Sequence, residues 1–257
     1  MVSGLNSTEK VLMILKAFLP DNRPRGTLEL CNDLNMKPAT VSRILGILKK
    51  YNFIQQDGNR KYHLGEVTAA LGQAFNESRT ARLLAVMKPQ LMRLNSMLNE
   101  NIHLELLSEN SVKLAAVLKG TKSVQFNAEP GKWMGINASA GSKAILAFST
   151  PNRLKGIKNA HPILQKFRPK SITDWSELER QLEEVRKAGI AYDHDEYLEE
   201  IYAVAAPIFD SSGEVFGAVA VPVPVNRKAI IFEQEIIDLL KKTAKNITAS
   251  LSDLPTK

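Results

Sequence analysis

Lys37-Pro38-Ala39-Thr40-Val41-Ser42-Arg43-Ile44-Leu45 decides how this 257-residue chain reads. Pro38 suits the first turn of a helix, where its missing N–H costs nothing. Val41, Ile44, Leu45 and Leu48 follow at helical spacing and predict a buried stripe on a helix running to about Lys50. Away from that stripe, near the helix start, stand Ala39, Thr40, Ser42 and Arg43. Short side chains let a helix backbone approach the floor of a DNA major groove, and an arginine there bonds a guanine edge or clamps a phosphate. Arg43 is therefore the base-contact candidate. The plainer alternative makes Thr40 and Ser42 ordinary solvated positions.

Upstream, Asn6 with Glu9 forms a capping-box pattern, and Val11, Ile14, Leu15, Phe18 and Leu19 predict a first helix ending at Pro20. Thr27 reads as the cap of a short second helix with Leu28, Cys31 and Leu34 inward, and Asn35-Met36-Lys37 as the turn into the third. Cys31 reads as a small buried apolar residue. Downstream, residues 53–56 and 61–64 flank Asp57-Gly58-Asn59-Arg60, a turn signal that predicts a β-hairpin. With Arg60 and Lys61 at its tip reaching phosphates, it is the wing of a winged helix-turn-helix, and Lys37, Lys49 and Lys50 add to the same footprint. The charge distribution agrees. Residues 1–65 carry ten Lys/Arg and five Asp/Glu, whereas residues 66–257 carry 24 and 22. A solvated, lysine-rich surface is the alternative on charge alone.

The length favours two domains. Val67, Leu71, Ala74 and Phe75 predict a linking helix over 66–78, and Leu84, Met87, Leu91, Leu94 and Leu98 a second segment that Pro89 kinks or divides. Either stripe is a candidate dimer surface, and the second equally suits its own domain's core. Beyond residue 100, strand-like runs at 103–107, 112–118, 203–209 and 215–221 alternate with helices. One helix starts at a cap near Thr173 and ends at Gly189. Another, near 233–251, turns Ile236, Leu240, Ala244, Ile247 and Leu251 to one side. Asp210-Ser211-Ser212-Gly213 joins two apolar strands into a central antiparallel hairpin. The class is α+β.

Several functions are disfavoured. Cys31 is the single cysteine, so no internal disulfide forms; the opening ten residues do not read as a secretory leader; and the weakly polar run 215–225 is too short and proline-broken to span a bilayer. A cytoplasmic, non-membrane protein is expected. Residues 137–144 bring small side chains into a helix start whose free N–H groups suit a carboxylate, but they match neither a phosphate-binding Gly-Lys loop nor a nucleophile elbow. His194 stands among Asp193, Asp195 and Glu196, yet adjacent residues on an irregular segment seldom share one ion, and His63, His103 and His161 lack ligand spacing. No nucleophile–base arrangement can be nominated, so neither metal, cofactor nor catalytic residue is assigned.

Taken together, several stretches resemble the IclR-type bacterial transcription regulators over roughly residues 5–250. They are residues 37–45, the Tyr62-His63-Leu64-Gly65 end of the wing, Ala138-Ser139-Ala140-Gly141-Ser142-Lys143-Ala144, and the pair 189–193 with 204–210. The resemblance implies a winged helix-turn-helix domain over 1–65, a linking helix over 66–79, and an effector-binding and oligomerisation domain over 80–257. The last is GAF-like, with a six-stranded antiparallel sheet. It further implies homodimers or tetramers on double-stranded DNA, controlled by a small organic acid or aromatic compound. Carried over by position, the effector site comprises Phe126, Met134, Ala140, Gly141, Asp193, Ile201, Ala203, Ala220 and Pro222. Ala203 stands where the family often has Cys, and Ala220 with Pro222 where hydroxyl residues are common. Glu200 replaces a frequent Gly and Ala39 a frequent Ser. Apolar walls favour a larger or aromatic effector. The expected protein is a ligand-responsive repressor on a near-palindromic operator. The rivals are an enzyme with a nucleic-acid tether and a sequence-indifferent DNA-coating protein.

Overall fold

The computed structural model describes residues 6–252, so the first five of the ten opening residues lie outside it. The chain divides into two compact units, one running to Ala81 and the other starting at Arg82. The first holds α1 (Ser7–Lys16), α2 (Thr27–Leu34), α3 (Pro38–Lys50), β1 (Ile54–Gln56), β2 (Tyr62–Leu64) and the start of α4 (Glu66–Leu98).

The capping box forms: Asn6 Oδ1 accepts from Glu9 N at 3.0 Å and Glu9 Oε2 from Asn6 N at 2.7 Å. α1 stops at Lys16, short of Pro20, because Phe18 and Leu19 close i→i+3 turns and the Ala17 carbonyl accepts from Arg25 Nη1 at 2.7 Å. α2 begins after Gly26 rather than with Thr27 as its cap. Its inward face is Leu30 and Cys31, while Leu28 is 72% exposed. Positions 30, 31 and 34 share a helix face as readily as 28, 31 and 34, so packing against the neighbouring helices chooses between them. α3 follows the expected pattern, with Val41, Ile44, Leu45 and Leu48 buried beside Ile14, Phe18, Leu30 and Ile54.

β1 and β2 pair antiparallel from Ile54↔Leu64 to Gln56↔Tyr62, and Arg25 adds a bridge by exchanging two 2.8 Å backbone bonds with Tyr62. Gly65 ends the wing under a steric demand: a Cβ there would stand 2.4 Å from the Asn52 carbonyl oxygen. Residues 66–98 form one helix in place of the two segments expected, and Pro89 does not divide it. Beyond Pro89, Leu91, Leu94 and Leu98 are buried in the second unit's core, which offsets the lost backbone bond.

The second unit continues with β3 (Ile102–Ser108), β4 (Ser111–Leu118), α5 (Ala140–Phe148), α6 (Pro151–Ala160), α7 (Trp175–Ala188), β5 (Ala191–His194), β6 (Ile201–Phe209), β7 (Val215–Pro224), a 3₁₀ segment (Val225–Phe232) and α8 (Gln234–Ser252). Its sheet has the order β4-β3-β7-β6-β5, every pair antiparallel. Five strands, not six, form it among the described residues. Beyond β4 the chain makes only the Lys113↔Trp133 bridge with its flanking backbone bonds, because at Gly135 it turns inward towards α5.

Strand alternation sends Ile102, Leu104, Val204, Ala206, Val219 and Val221 to one face, where the end of α4 and α8 cover them. On the other face Ala191, Ala203, Ala205, Ala218 and Ala220 lie under α5 and α7. α7 is capped by Asp174, one residue past the expected Thr173, and ends at Gly189 as expected. α8 buries Ile237 more fully than Ile236.

Candidate nucleic-acid interface and effector site

α3 is held by its aliphatic stripe and closed off by Met36, which is buried in the turn after Asn35 ends α2 in the left-handed conformation. That leaves Lys37, Ala39, Ser42, Arg43, Lys49 and Lys50 exposed and Thr40 half-buried. Arg60 and Lys61 are exposed on the wing. Asp57 Oδ1 shapes the turn by accepting from Asn59 N at 2.9 Å and Lys61 N at 2.8 Å. Lys49 Nζ donates to Gln56 Oε1 at 2.9 Å and so joins α3 to the wing.

Among the described residues none of Lys37, Arg43, Lys49, Lys50, Arg60 and Lys61 enters an ion pair. Arg25, by contrast, is consumed inside the unit by Glu29 and Asp33. Unpaired cations around an exposed helix start and wing form a surface made for a polyanion.

The second site lies between the sheet and α5. Ser139 caps α5 by accepting from Ser142 N at 3.1 Å. The small-residue sequence predicts that this helix start holds a carboxylate, and one is there: that of Glu105, from β3. Ser139 Oγ donates to Glu105 Oε2 at 2.9 Å, and the Ser142 N–H, bonded to Ser139 Oγ, favours the charge of the same carboxyl group. Gly141 admits it, since a Cβ there would stand 2.3–2.7 Å from the Glu105 carboxyl atoms. Burial pushes Glu105 up to about 7, with the charge of Asp193 adding to the shift and the two serine bonds opposing it. Burial likewise raises Asp193 to about 7, although the Glu196 N–H donates to its Oδ1 at 2.7 Å.

Beside them Lys143, 0% exposed, bonds Glu196 Oε1 at 2.7 Å. Glu196 Oε2 and His103 Nε2 are buried without a hydrogen-bond partner. Burial pulls His103 down to about 4, so its ring is neutral at pH 7.

Of the nine positions nominated for an effector, Ala140, Gly141, Asp193, Ala203, Ala220 and Pro222 come together here. Ala203 pairs in register with Asp193 and Pro222, and Ala220 with His103 and Ala205. Ile201 stands two residues before Ala203 on the same sheet face, half-buried. Phe126 packs on His103 with ring centroids 5.9 Å apart. Met134 packs against the cluster that holds Ala140, Ala203 and Ala220 and also lines a cleft of about 420 Å³ with Trp133, Phe167 and His161.

Sequence reasoning missed Glu105, Lys143 and Glu196 as parts of this site. The signal for Glu105 was the alternation Ile102-His103-Leu104-Glu105-Leu106, which ordinarily marks a solvated sheet face. Here helices cover both faces, so that polar row is interior. Among the described residues no group of three or more His, Cys, Asp or Glu could hold a metal ion, and no helix is long and apolar enough to cross a membrane.

A winged helix-turn-helix with an exposed basic helix, followed by a sheet-based unit with a buried polar cluster beside α5, fits a transcriptional regulator. Residues 77–249 match the family described as bacterial transcriptional regulator IclR C-terminal, and the chain belongs to the IclR family. It is 25% identical over 256 residues to the HTH-type transcriptional repressor AllR of Salmonella paratyphi A, covering 98% of this chain and 92% of that one. It is 27% identical over 250 residues to the HTH-type transcriptional regulator BhcR of Paracoccus denitrificans, covering 97% and 88%. An IclR homologue from Microbacterium hydrocarbonoxydans, solved in complex with 4-hydroxybenzoate, shares its fold with a TM-score of 0.60 at 20% identity, over 96% of this chain and 99% of that one.

Proposed function

We propose that this regulator is a cytoplasmic repressor that binds a near-palindromic double-stranded operator as a homodimer or tetramer, and that a small effector between the sheet and α5 changes that binding. α3 enters the major groove, with Ala39, Thr40, Ser42 and Arg43 towards base edges; Lys37, Lys49, Lys50, Arg60 and Lys61 meet phosphates. The observation that carries the reading is the set of six exposed, unpaired cations around α3 and the wing. Leu71 and Phe75 on α4, 58% and 65% exposed, are the apolar surface on which two copies pair.

The effector is an organic acid or an aromatic compound, and the alanine floor with Phe126 and Ile201 favours an aromatic body. The 4-hydroxybenzoate held by the Microbacterium homologue supports the aromatic body. No turnover is expected of such a protein, so incubation with candidate acids should leave them unchanged.

The test is fluorescence anisotropy with duplexes enriched from a random pool. Binding should fall with salt at a slope near −0.9 per phosphate contact, and Arg43→Ala should weaken or shift the sequence preference while keeping the fold. Equal affinity for enriched and random DNA would leave a coating protein instead.

A further inference from the structure

We infer that the Glu105 carboxylate is a built-in occupant of the anion position at the start of α5, so that the effector presents hydrogen-bond donors or positive charge there, as an amide or amidinium does, and not a free carboxylate. This rests on the effector site proposed above and narrows what it takes.

A helix start attracts an anion through its free N–H groups and dipole. In this chain those groups are already engaged: the Ser142 N–H donates to Ser139 Oγ, whose hydroxyl serves Glu105, and Gly141 gives the carboxyl group its space. A second carboxylate arriving there would meet Glu105 and, across the small floor, Asp193. Both are buried, where like charges repel most strongly. The cation nearby offers no relief, because Lys143 is held by Glu196 at 2.7 Å.

A further atom points to a visitor with donors. Glu196 Oε2 is a buried acceptor with no partner. His103 Nε2, also buried and unpartnered, belongs to a neutral ring two residues from Glu105 on the same face of β3, opposite the methyl of Ala220; its tautomer sets whether it takes a donor or an acceptor, so it marks an unmet polar atom there and no more. Buried polar atoms left unpaired are costly, and a ligand that supplies donors recovers that cost.

The groups facing the position from each packed element are His103 on β3, Asp193 on β5, Glu196 and Tyr197 after it, and Lys143 on α5, while His194 turns to the opposite sheet face and stacks on Tyr192 and Phe232. Acceptors and acids dominate this set. Since Glu105 and Asp193 titrate near 7, an amidinium should bind more tightly as pH rises from 6 to 8.

Benzoate, benzamide and benzamidinium share one shape and differ only in the head group. Calorimetry and thermal shift on the full chain at pH 8 should rank benzamidinium and benzamide at least tenfold tighter than benzoate. Glu105→Gln and Glu105→Ala should narrow or reverse that order, with benzoate gaining tenfold or more in the alanine variant. Ala203→Trp, which fills the floor, should abolish binding of all three.

Benzoate ranked first by the wild-type protein, or an order unmoved by both Glu105 variants, overturns the inference while leaving the site in place, provided Ala203→Trp still abolishes binding. Binding that survives Ala203→Trp, or no binding of any probe to any variant, removes the proposed site and the inference with it.

Discussion

The two charged regions of this protein follow opposite designs. Around α3 and the wing, Arg43, Lys49, Lys50, Arg60 and Lys61 are exposed and free of ion pairs. Between the sheet and α5, Lys143, Glu196, Glu105 and Asp193 are buried and answer one another or nearby hydroxyl and N–H groups. Exposed charges cost little to keep and contribute little to folding, so a concentration of one sign serves an external partner. Buried charges are expensive, and their retention in a core that apolar residues would fill more cheaply marks a site with a task.

If that contrast holds, substitutions in the two regions should separate cleanly. The largest effect is expected from Lys143→Met, which strands Glu196 in the interior and should cost about 3–5 kcal/mol in chemical denaturation. Lys143→Met with Glu196→Met should recover most of that loss. Leu45→Ala, on the buried side of α3, should cost about 2–5 kcal/mol and loosen the helix that carries the DNA face.

On that face, Arg43→Ala should leave the melting temperature unchanged and cost about 1–3 kcal/mol in operator affinity. A fall in melting temperature instead would mean that Arg43 serves the fold.

The buried carboxylates give a pH signature of opposite sign to that of salt-bridged surface acids. Glu105 sits near 7 in the folded chain against an ordinary 4.5, so the native state binds more protons than the unfolded one. Its contribution is therefore fully present below about 4.5 and lost as pH rises through 7. Asp193 acts in the same direction, whereas His103, lowered to about 4, acts in the other from about 6.5 downwards. The wild type minus Glu105→Gln difference follows Glu105 with its coupling to Asp193, and across that window it should decline by up to about 1.4 kcal/mol per pH unit. The smallest effect belongs to Lys61→Gln, which should leave stability untouched and make the salt slope of DNA binding shallower by about 0.9, the share of one phosphate.

The two regions were also unequally legible in the sequence. α3 could be read because its stripe and its exposed face are both local and separate at a period of 3.6, and the wing because Asp57-Gly58-Asn59-Arg60 is a turn by its own chemistry. Leu28 escaped the spacing argument because two faces of α2 satisfy the same spacing and only the neighbouring helices distinguish them.

The interior site was half legible. Its small-residue helix start was plain, and the resemblance supplied the alanine floor and Asp193. The carboxylate that occupies the helix start comes from Glu105, 34 residues before Ser139, and nothing local in a strand that alternates polar and apolar announces that both faces are covered. The sixth strand expected from the resemblance shrank to a single bridge at Trp133 for a similarly non-local reason: the chain turns inward at Gly135 to reach α5.

The role of α3 as the reader of DNA sequence stands or falls on one comparison. Selection of duplexes from a random pool by the wild-type protein and by Arg43→Ala, each shown to be folded by its melting temperature, tests it most directly. The wild type should enrich a motif of two inverted half-sites, and Arg43→Ala should weaken or shift the preference within each half-site. Enrichment of the same motif to the same degree by both proteins, or of no motif by either, would contradict it.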